Sequence, residues 1–369
     1  MPIPPYPQPP SPGTFTNTPV LVSALRDDVT SGVTFLANRP AFSAYSTGNA
    51  SISADSFTPV VLDTEYFDTW AGHSPLGTYP QNYYCQSPGW YLAEGFVPWN
   101  YTGGSFVALA AAIGAFTAGG TAISEGQAQV IATGVNPGMF AADLVQLTRT
   151  GVPDSSGSDY LQLMAFTNYS SFTLQGTSPN LPTLSARWVG SGAASTLPVP
   201  ANASFPVPPS YVDETWLDAN VRDAVSFLSN PPMLRYTYAP GSQTISSGTW
   251  PAAAKITLGT SSLDNYSAWD PGSSQWIAPA AGVHYVYAQV ACTSASGAAY
   301  AAGVTVNGTT TWGQSYINGA TTSGTIICSM AEHFRFAAGD TVSLAGFQNA
   351  GSALSVKAQT RLCIFWESS

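Results

Sequence analysis

One short pattern occurs twice in this chain of 369 residues, about 190 positions apart. The first copy consists of Leu25, Val29, Val33, Phe35, Leu36, Asn38 and Pro40, and the second of Leu217, Val221, Val225, Phe227, Leu228, Asn230 and Pro232. All seven positions match in register without a gap, and each copy is followed by a long stretch with strand-like patterning. An internal repeat of this kind indicates that the chain is made of two units of one design.

The apolar residues of each copy are spaced four, four and three positions apart, which places them on one face of a helix. In both copies an asparagine and a proline follow and end the helix. Helices this short are marginal in water unless they pack on something. We therefore predict two adaptor helices, in residues 20–40 and 213–232, that dock on their own copies or on a neighbouring protein. The docking residues would be Leu25, Val29, Val33, Leu36, Leu217, Val221, Arg222, Val225 and Leu228. A solvated helix face with i,i+4 ion pairs is the alternative.

Proline-rich segments precede both helices. Residues 1–19 contain eight prolines, and each proline fixes φ and removes a backbone donor, so an extended arm is expected. Residues 191–212 form a second proline-rich linker. Residues 41–190 and 233–369 alternate β-branched and aromatic residues with polar ones, and turn residues interrupt them every eight to twelve positions. This pattern predicts strands, and hence an all-β chain of two tandem domains, each introduced by an arm and a short helix.

Composition limits the possible partners. Charged residues make up only 8% of the chain and the net charge is −10, so a nucleic-acid backbone would be repelled. No apolar run reaches the roughly 18 residues that a membrane-spanning helix needs. The N-terminus lacks the cationic start and apolar core of a signal peptide, and we expect the protein to be made in the cytoplasm of its host cell. Aromatic residues, at 12%, are numerous enough to build folded cores.

The second β domain carries a recognisable order of motifs. The segment 276–290 begins with Trp276-Ile-Ala-Pro and continues through a glycine into alternating tyrosines; an Asn307-Gly308 turn, a Gly339-Asp340 turn and an aromatic final strand at 360–366 follow. This order resembles the jelly-roll superfamily of the complement globular heads and tumour necrosis factor. The first domain keeps a looser version, without a glycine equivalent to Gly339. The resemblance implies two jelly-roll β-sandwich domains and a homotrimer.

The combination of the second helix motif, Asn220 to Pro232, with a Pro-Gly-Trp-Tyr-Leu strand resembles minor tail proteins of bacteriophages that infect actinobacteria. That resemblance implies a non-enzymatic structural protein located in the virion tail. Its partners would be further copies of itself and other tail proteins, with the host cell-wall glycan as a further candidate. A capsid decoration or head-fibre protein, a lectin-like carbohydrate-binding module and a cell-wall glycosidase are the alternatives.

Motifs for catalysis or cofactor binding are not found in the sequence. His73, His284 and His333 share no metal-ligand spacing, and there is no P-loop, dinucleotide fingerprint or nucleophile elbow. We predict no enzyme activity, cofactor or metal, although a loop with Asp68 and His73, or one with Asp264 and Asp270, could hold a cation. The four cysteines include no CxxC pair and are expected to be buried thiols.

Exposed aromatic residues are the better candidates for a binding role, because their flat faces stack on sugars or fill interface pockets. Most of the tryptophans and tyrosines are expected in the cores or in a subunit seam. Tyr101, Trp312 and Tyr316 lie near predicted loops. We predict these three as contacts for a glycan or receptor.

Overall fold

The computed structural model describes residues 30–48, 50–99, 107–117, 122–132, 138–153, 157–168, 172–174, 181–193, 223–239, 241–248, 254–295, 297–312, 317–318 and 325–368. The proline-rich arm, most of the linker and the first parts of both predicted helices lie outside these residues. The remainder forms two β units, which we call repeat 1 and repeat 2.

Repeat 1 is a sandwich of two antiparallel sheets. Its strands are β1 (Ala41–Tyr45), β2 (Ala50–Ile52), β3 (Thr58–Pro59), β4 (Thr64–Asp68), β5 (Asn82–Tyr84), β6 (Gly89–Pro98), β7 (Val107–Phe116), β8 (Ala122–Ala132), β9 (Gly138–Leu147), β10 (Tyr160–Thr167), β11 (Phe172–Leu174) and β12 (Thr183–Gly190). One sheet, the inner sheet, has the order β4-β1-β12-β6-β9. The other, the outer sheet, has the order β3-β10-β7-β8, with β5 also paired to β10.

Repeat 2 has the same construction. Its strands are β13 (Met233–Thr237), β14 (Thr244–Ile245), β15 (Ala254–Lys255), β16 (Thr260–Asp264), β17 (Trp269–Asp270), β18 (Gln275–Ile277), β19 (Gly282–Thr293), β20 (Ala299–Val306), β21 (Thr309–Trp312), β22 (Ile317–Asn318), β23 (Thr325–Phe336), β24 (Thr341–Gln348), β25 (Leu354–Ser355) and β26 (Arg361–Ser368). The inner sheet has the order β16-β13-β26-β19-β23, and the outer sheet has the order β17-β18-β24-β20-β21.

The two inner sheets correspond strand for strand. The first strand after each helix, β1 or β13, lies between β4 or β16 on one side and the final strand, β12 or β26, on the other. Beyond the final strand come β6 and β9 in repeat 1, and β19 and β23 in repeat 2. This shared order confirms the predicted all-β fold of two tandem jelly rolls.

Each repeat has its own core between its two sheets. Alternation along β6 sends Tyr91 and Ala93 into the core of repeat 1, whereas Trp90 and Leu92 lie on the opposite face. In repeat 2, Val286 and Ala288 of β19 enter the core and Tyr285 and Tyr287 face away from it. Because strand side chains alternate between faces, both inner sheets are apolar on two sides, and the side that faces away from the core needs a second partner.

The turn chemistry expected from the sequence is present in repeat 2. Asn307 and Gly308 have φ values of 47° and 82° and connect β20 to β21, as an Asn-Gly hairpin requires. Gly339 has φ 91°, and Asp340 accepts hydrogen bonds from the Ala337 backbone N–H and the Asn307 side chain. These bonds fix the turn before β24 and lower the pKa of Asp340.

Two short helices precede the sandwiches. The described part of α1 covers residues 30–37, and α2 covers Asp223–Ser229. Both end in the same way: the backbone N–H of Asn38 lies within hydrogen-bonding distance of the Thr34 and Phe35 carbonyls, and that of Asn230 of the Ser226 and Phe227 carbonyls. Within the described residues, no helix is long and apolar enough to cross a membrane. The four cysteines are buried thiols that form no disulfide, as expected.

The buried His284 is expected to make the stability of the protein depend on pH. Its ring lies in the core between Trp276 and Phe336, its Nδ1 donates to the Gly282 carbonyl, and burial lowers its pKa from 6.5 to about 4. The unfolded chain therefore binds the proton more readily, and stability is lost as the pH falls from 6.5 towards 4. We expect this residue to lower the unfolding free energy by about 2 kcal/mol between pH 7 and pH 5.

Urea denaturation of wild type and of His284→Phe at both pH values checks this prediction. The variant should lose about 2 kcal/mol less than wild type over the interval. Equal losses in the two proteins would show that other groups account for the pH dependence.

Candidate binding site at the junction of the two repeats

The structure describes four of the nine predicted docking residues. Val33 is 52% exposed and Leu228 is 39% exposed. Leu36 is half-buried against the core of repeat 1. Val225 is half-buried next to α1, since a Cβ on Gly32 would lie only 2.9 Å from its Cγ1. The two helices therefore touch each other, and docking on another molecule stays a prediction. Leu25, Val29, Leu217, Val221 and Arg222 lie outside the described residues.

The predicted glycan contacts lie largely outside the part of the chain that the structure describes. Tyr101 and Tyr316 lie outside the described residues. Trp312 is the last residue of β21, where its backbone pairs with Gly303, and its side chain is not described. Their role in glycan or receptor contact stays a prediction.

The residue that fixes each helix is a phenylalanine that both copies of the pattern share. Phe35 of α1 meets the Trp188 ring edge-on, with centroids 4.9 Å apart, and Phe227 of α2 meets Trp366 at the same distance. Each tryptophan belongs to the final strand of its own repeat. Helical periodicity predicted a different face of each helix as the docking face. The sequence signal for Phe35 and Phe227 was that both copies of the pattern have phenylalanine at this position.

Each tryptophan ring donates a hydrogen bond to the carbonyl that precedes a glycine, and it packs closely on that glycine. Trp188 Nε1 donates to the Pro88 carbonyl at 3.0 Å, and Trp366 Nε1 donates to the Ala281 carbonyl at 2.9 Å. The glycines that follow, Gly89 and Gly282, have φ values of 147° and 140°. A Cβ there would lie 2.2 Å and 2.6 Å from the respective indole nitrogen, so only glycine fits. We call each set of helix phenylalanine, tryptophan and glycine a clasp.

The two inner sheets bury their second faces against each other. A separate apolar cluster contains residues from both repeats. Its buried members are Trp90, Leu92, Ala142, Leu144, Val189, Met233, Leu263, Tyr285, Tyr287, Cys363 and Phe365. At one margin, Ile327 of β23 pairs with Gln129 of β8, so the inner sheet of repeat 2 continues into the outer sheet of repeat 1. This contact joins the repeats into one body.

A buried carboxylate links the two repeats. Asp143 of β9 is fully buried and accepts two hydrogen bonds from Arg235 of β13, each 2.9 Å, and one from Arg361 of β26 at 2.6 Å. Burial acts to lower the pKa of Arg235, but the charge and hydrogen bonds of Asp143 outweigh it and raise that pKa. A carboxylate of repeat 1 thus bridges two guanidinium groups of repeat 2. Nearby, the Tyr285 hydroxyl donates to Glu94 at 2.7 Å.

A cleft of 340 Å³ opens where the two clasps meet. The ends of both helices and the final strands of both repeats line it, including Leu36, Leu228, Trp188 and Trp366. Glu367 accepts from Arg187 at 2.5 Å and lies 2.8 Å from His333 Nε2. We take this cleft as the candidate binding site.

The loop carboxylates considered for cation binding are engaged with backbone amides. Asp68 accepts from the N–H groups of Trp70 and His73, and Asp264 accepts from those of Ala268 and Trp269. These equivalent aspartates close the turns after β4 and β16. Within the described residues, no group of three or more His, Cys, Asp or Glu side chains converges as a metal site would require.

An apolar strip remains open on repeat 1. Tyr66 and Phe67 of β4 are 62% and 51% exposed, and Tyr66 packs on Tyr45 with ring centroids 4.5 Å apart. In the described part of the chain, β4 pairs with β1 alone and is an edge strand. Phe67 precedes Asp68 as Leu263 precedes Asp264, and Leu263 is buried between the repeats. The same surface is thus covered in repeat 2 and open in repeat 1.

Comparison with solved structures gives matches to other protein chains. The chain is similar to the globular domain of the zebrafish complement 1qA protein, with 14% sequence identity and a TM-score of 0.27. The match covers 37% of this chain and 99% of that domain. No protein-family model matches the sequence, and no curated protein matches it either.

Proposed function

We propose that this chain is a structural virion protein, a minor tail protein of a bacteriophage that infects actinobacteria, and that it assembles as a homotrimer. The observation that carries the assembly part is the open strip of Tyr66 and Phe67 on an edge strand. Exposed apolar edge strands promote association unless something covers them. The equivalent surface of repeat 2 is covered by a jelly roll, which makes another jelly roll the natural partner for repeat 1.

The tail assignment rests on the sequence pattern of arm, adaptor helix and jelly roll. It predicts that the chain co-purifies with intact phage particles, in a copy number that is a multiple of three. Quantitative mass spectrometry of purified particles measures both. A chain that is absent from the particles would contradict the assignment.

The homotrimer is tested by light scattering on the purified chain. We expect a mass of about 115 kDa, three times the 38.4 kDa of one chain. Replacing Tyr66 and Phe67 together by serine should return the protein to one-chain mass, because the strip would lose its apolar surface. Val152→Ser is the control, since Val152 is 69% exposed elsewhere on repeat 1. A wild type that stays monomeric at all concentrations would defeat the trimer.

A lectin-like role is the second candidate, favoured by exposed tyrosines on repeat 1. Tyr66 and Tyr79 are exposed and could stack on sugar rings. A glycan array that includes actinobacterial wall polysaccharides should then give hits that Tyr66→Ser and Tyr79→Ser weaken. An array without hits would leave assembly as the role of this surface. A capsid decoration or head-fibre protein would instead show the chain on the head of the particle.

A further inference from the structure

The cleft between the two clasps is locally positive in an acidic chain. The net charge of the whole chain is −10. The described residues that line the cleft include two arginines, Arg39 and Arg187, and one carboxylate, that of Glu367. The ion pair of Arg187 with Glu367, at 2.5 Å, uses this carboxylate. Among the described lining residues, no second carboxylate is present to balance the positive charge of Arg39.

The guanidinium of Arg39 is held in place but incompletely bonded. Its Nε donates to the Leu36 carbonyl at 3.2 Å, which is the hydrogen bond of this side chain among the described residues. The two terminal nitrogens keep their donors for another acceptor. Burial and the neighbouring charge of Arg187 lower the pKa of Arg39, whereas Glu367 acts to raise it. An anion placed beside Arg39 would relieve this repulsion.

Apart from the charged residues, Asn38 and Thr69, the cleft is lined by apolar side chains that can pack on an aliphatic group. Leu36 and Leu228 come from equivalent positions of the two helices, and Trp188 and Trp366 come from the two clasps. The Arg187 guanidinium is fixed over the Phe365 ring, 5.2 Å from its centroid. A volume of 340 Å³ lies at the lower end of the range for small-ligand pockets.

We infer that this cleft binds a carboxylate attached to an aliphatic group, with the carboxylate on Arg39 and the aliphatic group between the two clasps. The planar fork of a guanidinium matches a carboxylate, which can accept two parallel hydrogen bonds from it. A carboxylate also brings one negative charge, equal to the one that is unbalanced here. A phosphate monoester brings nearly two, which exceeds the unbalanced charge, and Glu367 would repel it more strongly than it repels a carboxylate. Two sources share this chemistry: a free branched-chain acid, and the C-terminus of a partner polypeptide that ends in an aliphatic residue.

Saturation-transfer NMR on the full chain tests the site with N-acetyl-L-leucine as the probe. The leucine methyl protons should receive saturation, with a dissociation constant on the order of 1–10 mM for a ligand of this size. N-acetyl-L-leucinamide is the matched ligand that lacks the charge, and it should bind at least about tenfold more weakly. This comparison uses wild-type protein and does not depend on the folding of a variant. Equal signals for the acid and the amide would overturn the proposal.

Arg39→Gln identifies the residue responsible. It should weaken binding of N-acetyl-L-leucine at least about tenfold, because the charge-assisted hydrogen bonds are lost. Arg335→Gln is the control, since it removes the same charge from an exposed position on β23, and it should leave affinity within about twofold. Unchanged binding in Arg39→Gln, with melting temperature preserved, would contradict the assignment.

A peptide arm separates the two possible sources of the carboxylate. The acid Ac-Ala-Ala-Gly-Val-Leu and its C-terminal amide are compared with N-acetyl-L-leucine. A peptide acid that binds more tightly than N-acetyl-L-leucine, and loses affinity as the amide, indicates the C-terminus of a partner chain. A peptide acid that binds more weakly indicates a free acid. If neither acid binds, the proposal is wrong, while the proposed virion role is unaffected.

Discussion

Asp143→Asn is expected to destabilise the protein by about 3–5 kcal/mol. Removing one charge of a buried ion pair leaves the partner charge buried and uncompensated. The substitution keeps the shape of the side chain but removes the charge that Arg235 and Arg361 share. Both guanidinium groups lie at the contact between the repeats and are largely shielded from water. Urea denaturation at pH 7 measures the loss.

Glu332→Gln is a matched control for this prediction. Asp143 pairs with Ala93 in the register of β6 and β9, and Glu332 pairs with Val286 at the equivalent position of β19 and β23. Glu332 is exposed, so its neutralisation should change stability by less than about 0.5 kcal/mol. Replacing all three buried charged residues by methionine or leucine should recover most of the stability. Equal effects of Asp143→Asn and Glu332→Gln would show that the carboxylate does not hold the repeats together.

Phe227→Ala is expected to cost about 3–5 kcal/mol, the usual range for truncating a buried phenylalanine. The ring contacts Trp366 and is the buried residue of α2. Without it, α2 loses its attachment to the final strand, and a helix of this length does not form alone. Thermal unfolding followed by near-ultraviolet circular dichroism measures the change, because Trp366 would lose its fixed environment.

Val33→Ala and Phe35→Ala test whether the two clasps are equivalent. Phe35 holds α1 on Trp188 as Phe227 holds α2 on Trp366, so Phe35→Ala should cost a comparable amount. Val33 lies on the same helix but is exposed, and its truncation should cost less than about 1 kcal/mol. If Phe35→Ala and Val33→Ala were equally mild, the clasp would not be what fixes the helix.

The fold was largely predictable from the sequence because its signals are local. Alternation along β6 and β19, the Asn307-Gly308 hairpin and the turn at Gly339 each depend on a few neighbouring residues. The duplicated pattern added the tandem arrangement. The order of strands in the sheets was implied by the jelly-roll resemblance and not by local patterns. Strand pairing at long range leaves little trace in one sequence.

The junction between the repeats was not predictable in the same way. Asp143 is a lone aspartate in an apolar strand, and its partners Arg235 and Arg361 lie 92 and 218 positions away. Phe35 and Phe227 stood out as repeated residues, but helical spacing assigned the docking face to their neighbours. Which side of a short helix is buried depends on where Trp188 and Trp366 lie, and that is decided by the tertiary fold.

A density map of the purified phage particle tests the central claim most directly. The proposal is that two jelly rolls, joined through their inner sheets, form one building block of a virion tail. The account predicts tail density into which the joined pair fits as a single body, repeated three times around an axis. Density for two separated jelly rolls, or particles whose tail contains no such pair, would contradict it.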